Sequence, residues 1–159
     1  MSQGEYIAPI KIEKVYAASE YIHEIFIYGD SLKSYVVAIV VPKIEKLMAK
    51  AKALGIDGSP EFIVQQEKIV EVVFTDMNRM ANLSKLALFE RVKNIKLISL
   101  CFAKNKLMTP TMKLIRYKAR TYFEKELAAL YEIPPMPTPI VKFEHVIPIG
   151  LSDDLIESA

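Results

Sequence analysis

Ile22-His23-Glu24-Ile25-Phe26-Ile27-Tyr28-Gly29-Asp30-Ser31-Leu32-Lys33-Ser34-Tyr35-Val36-Val37-Ala38-Ile39-Val40-Val41-Pro42 reads as a strand, a turn and a second strand. Ile22 to Tyr28 is largely apolar and rich in β-forming side chains. Gly29 to Lys33 holds the residue types that reverse a chain: Gly for conformational freedom, Asp and Ser for local hydrogen bonds. Tyr35 to Val41 is an unbroken apolar run of 7 residues, the pattern of a strand buried on both faces. Pro42 ends it, because proline has no N–H to give a ladder.

Helical spacing flanks this hairpin. Pro9 suits a first helical turn, and Ile12, Val15, Tyr16 and Ser19 follow it at i, i+3, i+4 and i+7. After Pro42, the residues Ile44, Leu47, Met48, Ala51 and Leu54 form one stripe, stopped by Gly55. Ser59-Pro60 reads as an N-cap and first-turn proline. The helix expected there carries Phe62, Ile69, Val73, Met77 and Met80, with both methionines as core. Ile95 to Leu100 is expected to be a third strand, followed by a loop to about Thr111. A last helix is expected from about Ile115 to Tyr131, with Phe123, Leu127 and Leu130 inward. A hairpin mixed with helices predicts an α+β domain: a short mixed sheet flanked by helices.

The chain has 159 residues, 52% of them hydrophobic and 25% charged, which suits one domain plus a tail and excludes intrinsic disorder of the whole. A single cysteine, Cys101, excludes an internal disulfide framework and a cysteine-only metal site. The 7-residue apolar run falls far short of the roughly 20 that a membrane-spanning helix needs. With no leader pattern at Met1 to Ile10, the expected location is intracellular, either cytoplasmic or peripheral on an organelle membrane.

The net charge of +2 hides an asymmetry. Residues 133–159 contain only Lys142 against Glu144, Asp153, Asp154 and Glu157, and five of the nine prolines. A folded body over 1–132 followed by a proline-rich acidic tail over 133–159 is therefore expected. Part of that tail is apolar enough to dock, on this domain or on a partner.

Most candidate chemistry reduces to bland readings. Asp153-Asp154 read as solvated, and His23 and His145 lack partners at metal-ligand spacing, so no metal site is expected. Cys101 lacks a nucleophile signature. The five glycines form no phosphate-binding loop, which argues against a self-contained nucleotide-hydrolysing domain. The segment 104–125 says more. Lys104, Lys106, Lys113, Arg116, Lys118, Arg120 and Lys125 face only Glu124, a local charge of +6 that would attract a polyanion. Nucleic acid is not the expected one: only Tyr117, Tyr122 and Phe123 interleave with the cations, and Phe123 belongs to the inward stripe. Within the segment, Pro110 stiffens Thr109-Pro110-Thr111 just ahead of Lys113. A compact ammonium on such a loop suits phosphate oxygens and a carboxylate together.

Two stretches carry a family resemblance: Gln3-Gly4-Glu5-Tyr6-Ile7-Ala8-Pro9-Ile10-Lys11-Ile12-Glu13 and Leu107-Met108-Thr109-Pro110-Thr111-Met112-Lys113-Leu114-Ile115-Arg116. With Tyr28 to Ser34 and Ala38 to Pro42 between them, the chain resembles, over residues 3–131, the C-terminal domain of long-chain fatty acyl-CoA synthetases. These are AMP-forming, adenylate-forming enzymes. The resemblance implies a small mobile domain that closes over a larger N-terminal adenylation domain. That larger domain would bind ATP and fatty acid, with Mg2+ accompanying ATP. The reaction would pass through acyl-AMP and pyrophosphate to acyl-CoA. Lys113 matches the lysine that enters the site for adenylation. Gly4, Glu5 and Tyr6 match the loop that faces CoA during thioester formation. Thr109, Thr111 and Arg116 fall on the nucleotide- and phosphate-facing side of the motif.

There are departures. Asn105-Lys106 stands where family members often carry Asn-Gly, and Ile115 stands where a basic residue is common. Short-chain, bile-acid and luciferase-like relatives often carry Gly-Lys where this chain has Met112-Lys113. The phosphate loop and adenine motif of the larger domain have no counterpart, so the chain is expected to be a piece of a longer protein, inactive alone. Peripheral membrane association of that whole protein fits its lipid substrates. The alternative is a stand-alone CoA- or nucleotide-binding or regulatory module using the basic 104–125 segment.

Overall fold

The structure, a computed structural model, describes residues 7–138. Helix α1 (Pro9–Ala17) leads into β1 (Ile22–Gly29) and β2 (Val36–Pro42). Helices α2 (Ile44–Ala53), α3 (Pro60–Ile63) and α4 (Glu67–Leu83) follow, then β3 (Val92–Leu97), α5 (Arg116–Tyr122) and α6 (Glu124–Glu132). The sheet has order β1-β2-β3. β1 pairs antiparallel with β2, placing Ile25 opposite Val40 and Ile27 opposite Ala38. β2 pairs parallel with β3, placing Ala38 opposite Ile95. A parallel pair needs a crossover, and α2 to α4 supply it. The α+β reading with a hairpin and a mixed sheet therefore holds.

β2 is the structural axis. Its residues alternate between two apolar layers, so the whole strand is buried. Val36, Ala38 and Val40 face Ile12 and Tyr16 of α1, Leu47 and Ala51 of α2, and Ile69, Val73 and Met77 of α4. Val37, Ile39 and Val41 face Phe102, Leu107, Ala119, Phe123, Leu127 and Leu130. This second layer carries the segment with the lysine-rich motif.

Four expectations need correction. The helix from Ser59 is two helices: Ser59 Oγ does cap it, accepting from Phe62 N at 3.2 Å, but Gln66 is extended. Burying Ile63 and Val64 redirects the chain, and Phe62 is left exposed. The last helix is likewise split at Phe123, whose side chain is buried against Phe102. β3 begins three residues before the expected Ile95, because buried Asn94 satisfies its amide internally. Asn94 Nδ2 donates to Leu130 O at 2.8 Å, and Asn94 Oδ1 accepts from Met136 N at 3.1 Å. Met136 N also donates to Lys93 O at 2.9 Å, so the chain beyond α6 returns to β3. Finally, Ser19 lies past the end of α1, where its Oγ donates to Asp76 and accepts from Tyr21 N.

Candidate functional site

The stretch expected to be a plain loop is a miniature hairpin. Met108 and Leu114 form a β-bridge. Above it, Thr109 N donates to Lys113 O at 2.8 Å, and Met112 N donates to Thr109 O at 2.9 Å. Pro110, Thr111 and Met112 are thus a three-residue hairpin loop. In such loops the third residue adopts the left-handed conformation usually given to glycine. Met112 does so, with φ +63°. Two further contacts tighten the tip: Lys113 N donates to Thr109 Oγ1 at 3.0 Å, and the hydroxyls of Thr109 and Thr111 are 3.1 Å apart.

The stalk of the hairpin is anchored in the second apolar layer. Leu107 is buried, and Ile115 N donates to Leu107 O at 2.8 Å. Phe102 N is held by Glu24 Oε1 of β1 at 2.9 Å. The tip projects from this base. Thr111, Met112 and Lys113 are exposed, and Lys113 has no ion-pair partner among the described residues. Lys113, Thr109 and Thr111 are therefore brought together, with the lysine presented outward and its backbone pinned.

Arg116, expected on the phosphate-facing side, is engaged within its own domain. It opens α5 and forms a two-pronged ion pair with Glu13 of α1: Nη1 to Oε2 at 3.0 Å and Nη2 to Oε1 at 2.5 Å. Glu13 Oε2 also accepts from Ile27 N of β1 at 2.9 Å. A two-pronged pair of this kind fixes the direction of the guanidinium. Glu13 sits in one motif stretch and Arg116 in the other, so this contact joins them across the sheet edge. Nothing in the spacing of the sequence pairs these two residues; only the fold does. Met112 also gave no sequence signal beyond standing where a glycine is common.

Gly4, Glu5 and Tyr6 lie outside the described residues, as do His145, Asp153 and Asp154. His23 is exposed on β1 and Cys101 is a half-buried free thiol; both line a cleft of about 440 Å³ with Lys43, Lys46 and Lys104. A second cleft of about 460 Å³ is lined by Tyr28, Asp30, Lys33, Arg120 and Tyr131 among others. Neither cleft includes Thr109, Lys113 or Arg116. The candidate site is thus an exposed hairpin tip. The remaining cations of 104–125 are exposed and spread over the turn before the hairpin, α5 and α6.

No family model matches the chain. The human long-chain-fatty-acid–CoA ligase 1 is 41% identical over 132 residues, which are 82% of this chain and 19% of that protein. The human long-chain-fatty-acid–CoA ligase 6 is 40% identical over 134 residues, 84% of this chain and 19% of that protein. Fatty acyl-CoA synthetase B of Dictyostelium discoideum is 39% identical over 132 residues, 82% of this chain and 20% of that protein. The chain spans about a fifth of the length of the curated relatives it matches. Among solved structures, the adenylation domain of a carboxylate reductase from Mycobacterium chelonae superposes with a TM-score of 0.70 at 26% identity, covering 84% of this chain and 19% of that one. A carboxylic acid reductase didomain from Segniliparus rugosus, in complex with AMP, gives 0.69 at 26% identity over 83% of this chain and 17% of that one. The resemblance read from the two motif stretches thus extends over most of the chain.

Proposed function

We propose that this chain is the C-terminal closing domain of an AMP-forming long-chain fatty acid–CoA ligase. The observation that carries the reading is the presentation of Lys113: a pinned backbone, an exposed side chain, and a hairpin built to project from the domain. A lysine wanted only for solubility needs no such mount. In the whole ligase the hairpin enters the ATP and fatty acid site of a larger domain. There the Lys113 ammonium holds the carboxylate beside the α-phosphate and offsets charge that develops in the displacement. The products of that step are acyl-AMP and pyrophosphate. In the second step the acyl group moves to the thiol of CoA, with Gly4 to Tyr6 facing the incoming thiol. The relatives' names support the fatty acid and CoA, and the AMP complex of one structural neighbour supports the nucleotide.

Mg2+ would accompany ATP. Among the described residues no group of three or more His, Cys, Asp or Glu side chains is placed to hold a metal ion, and no step is derived through one. Association of the whole ligase with a membrane would be peripheral, in keeping with its lipid substrate; no helix among the described residues is long and apolar enough to cross a bilayer.

The test uses the whole ligase that contains this chain. Lys113→Ala should lower acyl-adenylate formation by about a hundredfold or more, the order expected for losing one preorganised electrostatic contact. Thioester formation from supplied acyl-adenylate should change little. Equal loss in both half-reactions would overturn the role given to Lys113. The 159-residue chain alone should form no acyl-adenylate.

A further inference from the structure

Met112 carries a side chain that its hairpin loop does not require. Its φ of +63° is in the left-handed region, where an unbranched side chain is strained and glycine is not. The third residue of a three-residue hairpin loop is the place where glycine is the default. The side chain is 61% exposed and belongs to neither apolar layer, although its neighbours Met108 and Leu114 pack against the second one. A backbone site that favours glycine thus carries a flexible, largely exposed thioether. Met112 also immediately precedes Lys113, and the hydrogen bonds that pin Lys113 fix the direction of Met112 as well.

We infer that Met112 is a positioning residue. Its side chain seats on an apolar surface of the adenylation domain and sets the depth and angle at which Lys113 is presented. Methionine suits this use, because its three rotatable bonds and polarizable sulfur adapt to an irregular surface. The strain is kept in the free domain because the side chain contributes only on closure. This inference rests on the closing-domain reading above.

The experiment compares Met112→Gly, Met112→Leu and Lys113→Ala in the whole ligase, with Met112→Gly also made in the 159-residue chain. In the chain, the melting temperature of Met112→Gly should equal or exceed that of the unaltered protein. In the ligase, Met112→Gly should lower kcat for acyl-adenylate formation by about tenfold or more, the effect of a misplaced reacting group. KM for ATP and for fatty acid should hold, and so should thioester formation from supplied acyl-adenylate. Met112→Leu restores an apolar contact and should recover most of the rate. A Met112→Gly ligase that adenylates at the unaltered rate while Lys113→Ala does not would overturn the inference and leave the closing-domain reading intact. Full activity of Lys113→Ala would overturn that reading itself. A lowered melting temperature in the chain would assign Met112 to the domain's own fold and overturn the inference too.

Discussion

Glu13 does the work of three residues. Its two carboxylate oxygens take both guanidinium prongs of Arg116, and one of them also takes the Ile27 N–H of β1. Its side chain is only 14% exposed and that of Arg116 35%, so neither partner can turn freely to water. Truncating Glu13 leaves a peptide N–H and a guanidinium short of partners at once. Glu13→Ala should therefore cost about 2 kcal/mol of folding stability, read from urea unfolding. Glu13→Gln keeps an acceptor for Ile27 N and should cost about half as much. In a double-mutant cycle with Arg116→Ala, the coupling energy should be about 1 kcal/mol. Strict additivity would show that the ion pair contributes nothing. The sequence made Arg116 conspicuous through its charge and motif, but charge alone does not reveal its ion-pair partner Glu13, 103 residues away.

Among the elements, α6 packs Leu127 and Leu130 on β2, and one further side chain ties it by hydrogen bonds to the β1–β2 hairpin. Tyr131 Oη accepts from Asp30 N at 3.1 Å and donates to Tyr35 O at 2.8 Å, with Tyr28 O at 3.3 Å as a further neighbour. The rings of Tyr28 and Tyr35 pack against it at 6.3 Å and 5.3 Å. Tyr131→Phe keeps the ring and loses these bonds, and should cost about 1–2 kcal/mol. Burial pushes the Tyr131 phenol up to about 12 from its ordinary 10. Because the folded state holds the proton more tightly than the unfolded chain, this contribution is complete below pH 10 and is lost as pH rises from about 10 to 12. Unfolding midpoints at about pH 9 and pH 11 should thus fall further apart in the unaltered chain than in Tyr131→Phe, and equal differences would refute the assignment. The elements also show where periodicity misleads. The break between α5 and α6 has a legible signal that a search for apolar stripes passes over: Arg120 lies in the last turn of one helix, and Glu124 and Glu126 in the first turn of the next, each sign suited to its own helix end. From sequence β3 reads as starting late because Lys93-Asn94 is polar, and nothing local reveals that Asn94 is buried and satisfied by α6. The hairpin at 108–114 reads as loop because two bridge residues and a turn are too short to carry a strand pattern.

The whole molecule depends on β2 being legible. Seven apolar residues in a row require cover on both faces, and the helical stripes on either side supply it, so the α+β architecture follows from one strand and its surroundings. The same sharing ties the two layers together. A three-stranded sheet with one bare face would expose the alternate half of β2, so neither layer persists without the other. Val37 and Val40 give a matched pair of probes. Both are fully buried, and they belong to opposite layers, Val37 beside the α5–α6 side and Val40 beside the α1, α2 and α4 side. Each Val→Ala change removes two methyl groups and leaves a cavity, which should cost about 2 kcal/mol. If the layers unfold as one unit, either change should lower the helical far-UV signal and the tyrosine near-UV signal at the same urea concentration, with a single transition. Of the packed tyrosines, Tyr28, Tyr35 and Tyr131 belong to the Val37 layer and Tyr16 and Tyr21 to the other, so most of the tyrosine signal reports on the first. Independent layers would instead let Val37→Ala advance the larger part of the tyrosine transition, leaving the rest of it and much of the helical signal for a second step. That outcome would mean that the mount of Lys113 melts without the rest of the domain, and the hairpin would no longer be rigidly presented by the fold.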